Sequence, residues 1–326
     1  MTNSSKDYKA PHLPGGNAFD DLRVDIAEAH RIADQISCEK NSISVPAWRG
    51  KLRLLTHRIL RKLNWHEALV VNGVMDGWLS DFRSYWSDVL GGRPIWKALD
   101  FFMLAHDYRR SQQHAKPLEW DDAERHMENW QQPGQVYQIL QQVERFALNP
   151  YVHPPVWQYL EPKMKVLEYG CSSAPYYHCY RKFFSHREQS WVLADIPNFP
   201  FHYGKYLYRN DKDVSFATID VENYDDPLKS EAKFDAVILT TVLEHLENPK
   251  DIVVYLLDRL RPGGIFLFDY IRSEGTGLDH PGSLEQREEC LRVIREQTKV
   301  EDGRIGDSSE TVDLCVVRKK GRDGER

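Results

Sequence analysis

From about Ala18 apolar residues recur at spacings of three and four, with Leu22, Ile26, Ala29, Ala33 and Ile36 on one stripe, and this periodicity predicts an amphipathic helix. A second stripe follows in Lys51 to Leu63. There Leu52, Leu55, Ile59, Leu60 and Leu63 form a face, while Arg49, Lys51, Arg53, Arg58, Arg61 and Lys62 cover the opposite side. This basic amphipathic helix reads first as a solvated face on a core-packed element; the other reading is peripheral contact of residues 49–63 with an anionic lipid or glycolipid surface. Further helical segments are predicted near 66–90, 94–112 and 120–147. Met1 to Asn17 is polar and interrupted by Pro11, Pro14, Gly15 and Gly16, so it reads as a flexible tail, with no apolar burial to offset the entropy of ordering.

Past Pro162 the texture changes. Short apolar runs at Val166 to Tyr169, Trp191 to Ala194, Val214 to Ile219, Phe234 to Leu239, Ile265 to Ile271 and Val312 to Val317 alternate with helical stretches. Such alternation predicts parallel strands joined by right-handed crossovers, with helices on both faces of a doubly wound α/β domain. Asn149 to Pro155, with Pro150, Pro154 and Pro155, cannot continue a helix and marks the boundary. The expected organisation is a tail (1–17), an all-helical domain (18–155), an α/β domain (156–320) and a short tail (321–326). Eight of the nine tryptophans lie before residue 160, so the helical half is rich in aromatic core and is also a candidate substrate lid, partner-binding surface or membrane-proximal module.

Composition narrows the class. A chain of 326 residues with 41 % hydrophobic and 28 % charged residues has the balance of a globular protein and excludes disorder or a collagen-like chain. No run approaches the length of apolar chain needed to span a bilayer, and no apolar signal core opens the sequence, so the expected location is cytoplasmic. A net charge of -6 gives no general attraction to phosphate backbones, which speaks against a nucleic-acid partner. The five cysteines, Cys38, Cys171, Cys179, Cys290 and Cys315, are scattered and fit reduced thiols. His178 and Cys179 are adjacent, but no second cluster with ligand spacing accompanies them, so no metal site is expected.

The sharpest local signal is Lys165-Val166-Leu167-Glu168-Tyr169-Gly170-Cys171-Ser172-Ser173-Ala174-Pro175, a buried strand, a turn of small residues and a helix start with proline in its first turn. In doubly wound folds the ligand lies beyond the carboxyl ends of the strands, and this turn is small because backbone approaches a nucleotide-like cofactor closely. Dinucleotides place a pyrophosphate here and favour later glycines, where this chain has Ser172 and Ala174; they also gain nothing from Glu168, two residues before Gly170. S-adenosylmethionine carries a sulfonium and an ammonium group instead of phosphate. A neighbouring carboxylate suits it.

These residues resemble the class I S-adenosylmethionine-dependent methyltransferases, over about residues 160–320. The apolar-apolar-acidic-x-Gly opening of the family's first motif is matched by Val166, Leu167, Glu168 and Gly170, with Cys171 and Ser172 following in the loop. The resemblance implies that Asp195, with Ile196 beside it, holds the ribose hydroxyls. It further implies that Asp220 contacts the adenine amino group, with the Val221 amide beside the ring, and that Thr240 closes the site after the fourth strand. Lys233 to Leu239, Thr240 to Leu246 and Leu260 to Phe268 match the family's fourth strand, the segment after it and its fifth strand. The resemblance implies a Rossmann-like, mostly parallel seven-stranded sheet, S-adenosylmethionine as cofactor and methyl transfer as the reaction.

Methyl transfer from a sulfonium is an in-line displacement, so the protein holds the acceptor and excludes water. A hydroxyl acceptor must lose its proton, and His245 is the first candidate base, with His280, in the Gly275 to Gly282 loop, the second. An amine acceptor requires no base. The segment after the fourth strand, Thr240-Thr241-Val242-Leu243, lacks the Pro-Pro-Tyr type motif of amino-methylating nucleic-acid enzymes, the Pro-Cys nucleophile of the cytosine class and the paired glutamates of protein-arginine enzymes. A small molecule, natural product or glycan remains as substrate. Two alternatives stand beside this reading: a catalytically silent methyltransferase-like binding subunit, suggested by Ser172 and Ala174, and a dinucleotide-dependent oxidoreductase.

Overall fold

The computed structural model describes residues 55, 59, 78–90, 95, 96, 100–105, 120, 127, 129–131, 133–147, 151–223, 225–230, 232–272 and 279–321. The predicted tail, the first helix and most of the basic helix therefore lie outside the described residues; Leu55 and Ile59, four apart on that helix, are 52 % and 50 % exposed. The chain divides into two compact units. One comprises residues 1–117, 131–150 and 198–209, the other residues 118–130, 151–197 and 210–326.

The second unit is built on a seven-stranded sheet with β1 (Lys165–Tyr169), β2 (Ser190–Asp195), β3 (Val214–Thr218), β4 (Phe234–Leu239), β5 (Leu260–Tyr270), β6 (Thr298–Asp302) and β7 (Val312–Lys319) in the order 3-2-1-4-5-7-6. The first five strands are parallel and β7 runs antiparallel to both neighbours, so the sheet is mixed with a reversal at one edge. The apolar runs at β1, β4 and β5 are nearly continuous because these central strands are covered on both faces. Alternate residues divide between the faces. Leu167, Tyr169, Val237, Leu239, Phe266, Phe268, Cys315 and Val317 enter one buried cluster with Ile252, Leu256, Leu257, Leu291 and Ile294 from the covering helices. On the other face Tyr177 and Tyr180 pack on Trp191, with ring centroids 5.7 and 5.3 Å apart.

Strand β6 escaped the sequence reading. It carries one buried residue, Thr298, in the run Thr-Lys-Val-Glu-Asp, so neither an apolar run nor alternation marks it. Its charged side chains suit an edge strand that must not recruit another chain.

In the first unit helix α1 (Trp78–Ser84) continues as a wider π-type turn, Tyr85–Val89, and α2 (Tyr137–Gln142) precedes a similar turn, Val143–Ala147. Phe82 lies edge-on to Phe101 at 5.0 Å, and Trp78 likewise at 4.9 Å. Trp78, Phe82 and Phe101, read as core, are thus buried against one another, each large ring removing apolar area that a smaller side chain would not, whereas Trp96 is 69 % exposed. This unit also takes in the segment between β2 and β3, whose helix (Phe199–Tyr208) is capped by Asn198 accepting from the Phe201 amide at 2.9 Å. Tyr85 Oη lies 2.7 Å from His202 Nδ1, and burial pushes His202 down to about 3, so that imidazole is neutral. Among the described residues no helix is long and apolar enough to cross a membrane.

Candidate active site

The strand order reverses between β1 and β4, and the loops leaving these two strands form the floor of the site. Gly170 follows β1 with φ +66, in the left-handed region. A Cβ placed there would come within 2.3 Å of Val242 Cγ2, so glycine is required both by conformation and by close approach of the two loops. Ser172 and Ala174 also adopt positive φ, 53 and 57. The loop therefore makes the sharp bends of a glycine-rich turn with two residues that pay for them in strain, and its departures from the family pattern have not straightened it.

The loop is tied down by backbone and carboxylate bonds. The Cys171 amide donates to Ala194 O at 3.0 Å, and the Ser172 amide to Asp195 Oδ2 at 2.5 Å; Asp195 Oδ1 accepts from the Ile196 amide at 2.7 Å. The end of β2 thus holds the turn after β1. Glu168, buried on the opposite face from the large core cluster, accepts the Tyr176 and Tyr177 amides at 3.2 and 3.1 Å. These belong to the first turn of helix α3 (Pro175–Cys179), whose Pro175 occupies the position expected of it. Burial pushes the Glu168 carboxyl up to about 8 against the opposing pull of the two amides, and Asp195 adds a smaller push in the same direction.

Asp220 and Val221 follow β3. Asp220 Oδ2 pairs with Lys229 Nζ at 2.9 Å and Oδ1 accepts from the Glu222 amide at 3.1 Å, and these bonds hold its carboxyl below the usual range. The Ile219 amide donates to Asp195 O at 2.9 Å, so the ends of β2 and β3 are joined beside both aspartates. Thr240 is half-buried at the end of β4, and the next residue, Thr241, has φ +53 with its amide donating to Asp269 Oδ1 at 2.6 Å. Of the sequence-predicted cofactor residues, Glu168, Gly170, Cys171, Ser172, Asp195 and Ile196 meet around one loop; Asp220 and Val221 adjoin it through β3, and Thr240 across β4.

His245 lies in a short 3-10 turn, Leu243–His245, whose last amide donates to Val242 O at 2.9 Å. Its Nδ1 is 3.0 Å from Asp279 Oδ1, so the neutral ring carries its proton on Nδ1 and presents Nε2 as an acceptor. Trp130 packs edge-on to the ring at 5.1 Å. His280 is arranged differently. Its Nδ1 accepts from the Gly282 amide at 3.0 Å, capping the helix Pro281–Glu285, and its own amide donates to Glu244 O at 2.9 Å. Trp120 stands edge-on to it at 4.9 Å, and burial lowers its proton affinity. With Nδ1 occupied as an acceptor, the neutral His280 ring offers a donor rather than a base.

Asp279, Glu244, Trp120 and Trp130 were not singled out by sequence reasoning. Asp279 adjoins a histidine that was, and a carboxylate in the loop after β5 was the available signal; the tryptophans carry none, because only the fold brings 118–130 into this unit. The buried cysteines Cys171, Cys179, Cys290 and Cys315 are free thiols. Among the described residues no group of three or more His, Cys, Asp or Glu side chains could hold a metal ion.

Residues 137–298, about half the chain, match a family described as "Methyltransferase domain". Together with the sheet order this places the chain among the class I S-adenosylmethionine-dependent methyltransferases. No curated protein matches the chain significantly. Solved structures that resemble it include the N-methyltransferase NodS from Bradyrhizobium japonicum (18 % identity, 53 % of this chain and 98 % of that one, TM-score 0.38). An O-methyltransferase family protein from Burkholderia thailandensis is 12 % identical over 70 % of this chain and 72 % of that one, TM-score 0.41. An O-methyltransferase family 2 protein from Planctomyces limnophilus in complex with apigenin is 15 % identical over 61 % and 66 %, TM-score 0.40.

Two stability tests follow from the loop. Gly170→Ala combines left-handed backbone strain with overpacking against Val242 and lowers unfolding free energy by about 2–4 kcal/mol. The double variant with Val242→Ala recovers part of that loss in urea denaturation; equal losses in both would show that the close contact is not the cause. The second test concerns Glu168, whose folded carboxyl value lies above its ordinary 4.5. A raised value means that its contribution is complete below about 4.5 and is lost as pH rises towards about 8. Thermal unfolding of Glu168→Gln relative to the parent therefore improves by on the order of 2–4 kcal/mol between pH 5 and 8. A pH-independent difference would contradict the raised value.

Proposed function

We propose that this methyltransferase transfers the methyl group of S-adenosylmethionine to a hydroxyl of a small molecule or sugar, with His245 as general base oriented by Asp279. The observation that carries the proposal is the 3.0 Å contact between His245 Nδ1 and Asp279 Oδ1, which turns Nε2 into the acceptor that a hydroxyl requires. An amine acceptor needs no such pair. The cofactor assignment rests on donor chemistry: Glu168 and Asp195 place two buried carboxyl groups at the loop, suited to hydroxyl donors and, where ionised, to a cation, and unsuited to a pyrophosphate. In this reading Asp195 receives the ribose hydroxyls on lone pairs not engaged by the loop amides. Asp220 and Val221 flank the adenine, and Gly170, Cys171, Ser172, Ile196 and Thr240 line the remainder.

When bound, S-adenosylmethionine supplies an electrophilic methyl group. The protein does the rest by position. Asp279 fixes the His245 tautomer and stabilises the imidazolium formed when Nε2 accepts the hydroxyl proton. Trp130, against His245, and Trp120, against His280, give the acceptor side apolar walls that exclude water. His280 orients substrate as a donor through Nε2. Both tryptophans belong to the segment 118–130, which is part of the same compact unit as the sheet.

Asp195→Ala weakens S-adenosylmethionine binding at least tenfold in calorimetry while the fold persists, and S-adenosylmethionine, unlike a nicotinamide dinucleotide, raises the melting temperature of the parent. Absence of that protection would favour a silent binding subunit. A screen of cell-extract metabolites and glycans with methyl-labelled cofactor identifies the acceptor. Against it, His245→Ala lowers kcat about 100-fold or more with little change in KM, and Asp279→Asn lowers kcat in the same sense. Unaltered turnover in both variants would remove the base and point to an amine.

A further inference from the structure

Beside the His245 and Asp279 pair lies a third titratable group that the chemistry above does not use. Glu244, the residue before His245, is only 3 % exposed, and its Oε2 has no hydrogen-bond partner. Its Oε1 is 3.9 Å from His245 Nε2, on the opposite side of the ring from Asp279. An acceptor buried without a donor is costly, and more so when charged, unless a donor arrives during function. The nitrogen facing it is the one that gains a proton in hydroxyl methylation.

We propose that Glu244 is a positioning residue and proton store acting through His245: the proton taken from the acceptor passes from His245 Nε2 to Glu244. The inference rests on the hydroxyl-methylation reading and deepens it. In the first step the acceptor O–H bond breaks and its proton joins the Nε2 lone pair. The oxygen electron pair forms the new O–C bond while the C–S bond breaks, its electrons remaining on sulphur. In the second step the Nε2–H bond breaks, the proton forms an O–H bond on Glu244 Oε1, and His245 returns to its neutral form. Release to solvent resets the carboxylate.

The surroundings suit that task. Glu244 faces His245 from its own turn, Asp269 and Tyr270 from β5, Asp279 from the loop beyond β5, and Arg287 from the helix Arg287–Gln297. Burial, with Asp269 and Asp279, pushes its carboxyl up to about 7, against the pull of His245. Arg287 does not neutralise it directly, since its Nη1 donates to Ile271 O and its Nη2 to Tyr270 O and Glu310 O. A carboxyl near 7 takes a proton from an imidazolium and returns it to water without a large barrier in either direction.

The test is a titration of the full chain without cofactor or acceptor, so its outcome does not depend on methyl transfer being observed. In protein carrying labelled carboxyl and imidazole groups, with His245 assigned by its loss in His245→Gln, the Glu244 carboxyl carbon titrates near neutrality. The same inflection appears in the His245 nitrogens, as two coupled sites require. In Glu244→Gln that shared inflection vanishes and His245 loses about tenfold in proton affinity, because a negative charge about 4 Å away no longer favours the imidazolium. Glu244→Asp, which withdraws the carboxylate, gives an intermediate loss. A Glu244 carboxyl titrating near 4.5 in the parent, which needs no variant to fold, overturns the proposal; so does a His245 curve unchanged in a folded Glu244→Gln. With an acceptor in hand, Glu244→Gln lowers kcat, moves the acid limb of its pH profile down by about one pH unit and leaves KM unchanged. Coupled titration in a protein that methylates no hydroxyl would instead refute the hydroxyl reading alone.

Discussion

The contact between Gly170 and Val242 is the constraint from which the rest of the site follows. Because residue 170 has no Cβ, the turn after β1 and the turn after β4 close on each other at the point where the strand order reverses. The consequences run in two directions. On one side the turn delivers the Cys171 and Ser172 amides to Ala194 and Asp195, fixing the loop after β1 on β2. On the other side Val242 accepts the His245 amide and so sets the position of the imidazole. A side chain at 170 would separate the loops and move both groups of residues at once.

Glu168 contributes a second kind of constraint. A carboxylate at the start of a helix is ordinarily favoured by the N-terminal amides. Here it is also enclosed by the sheet and α3, and desolvation outweighs the two amide bonds. The residue therefore joins strand to helix as a hydrogen-bond acceptor while remaining poised between charge states. A nearby cation would favour ionisation.

The strands β1, β2, β4, β5 and β7 were legible because burial on one or both faces imposes its pattern on the residues, while β3, none of whose residues is fully buried, was marked by its run of Val, Phe and Ala alone. So was the turn at Gly170 to Pro175, since tight backbone leaves few residue types. Strand β6 was not, because an edge strand need not be apolar. The residues around the Gly170 loop and at the ends of β2 and β3 could be picked out from local motifs in register with the strands. The partners that give His245 and His280 opposite hydrogen-bonding roles could not, since Asp279 and Gly282 reach the two rings through the path of a loop, and Trp120 and Trp130 through a segment more than a hundred residues from either histidine. Ser172 and Ala174 looked like erosion of a glycine pattern, yet both sustain the positive φ that the turn demands. Side-chain identity understated what the backbone does.

Charge balance gives the site its coherence under the proposed reaction. Were S-adenosylmethionine held beside the buried carboxyls as proposed, its conversion to a neutral thioether would remove one positive charge from a region of low dielectric. Left alone, that change would strand an ionised carboxylate without its counter-charge. A proton arriving on Glu244 by way of His245 replaces the lost charge within the same enclosure, and the net charge of the interior is the same before and after the step. A solvent-exposed base would not achieve this, because its proton would leave the cleft along with the methyl's charge. The burial of Glu244, which is unfavourable for a structural acid with an unbonded oxygen, thus has a reason in the electrostatics of the reaction it adjoins.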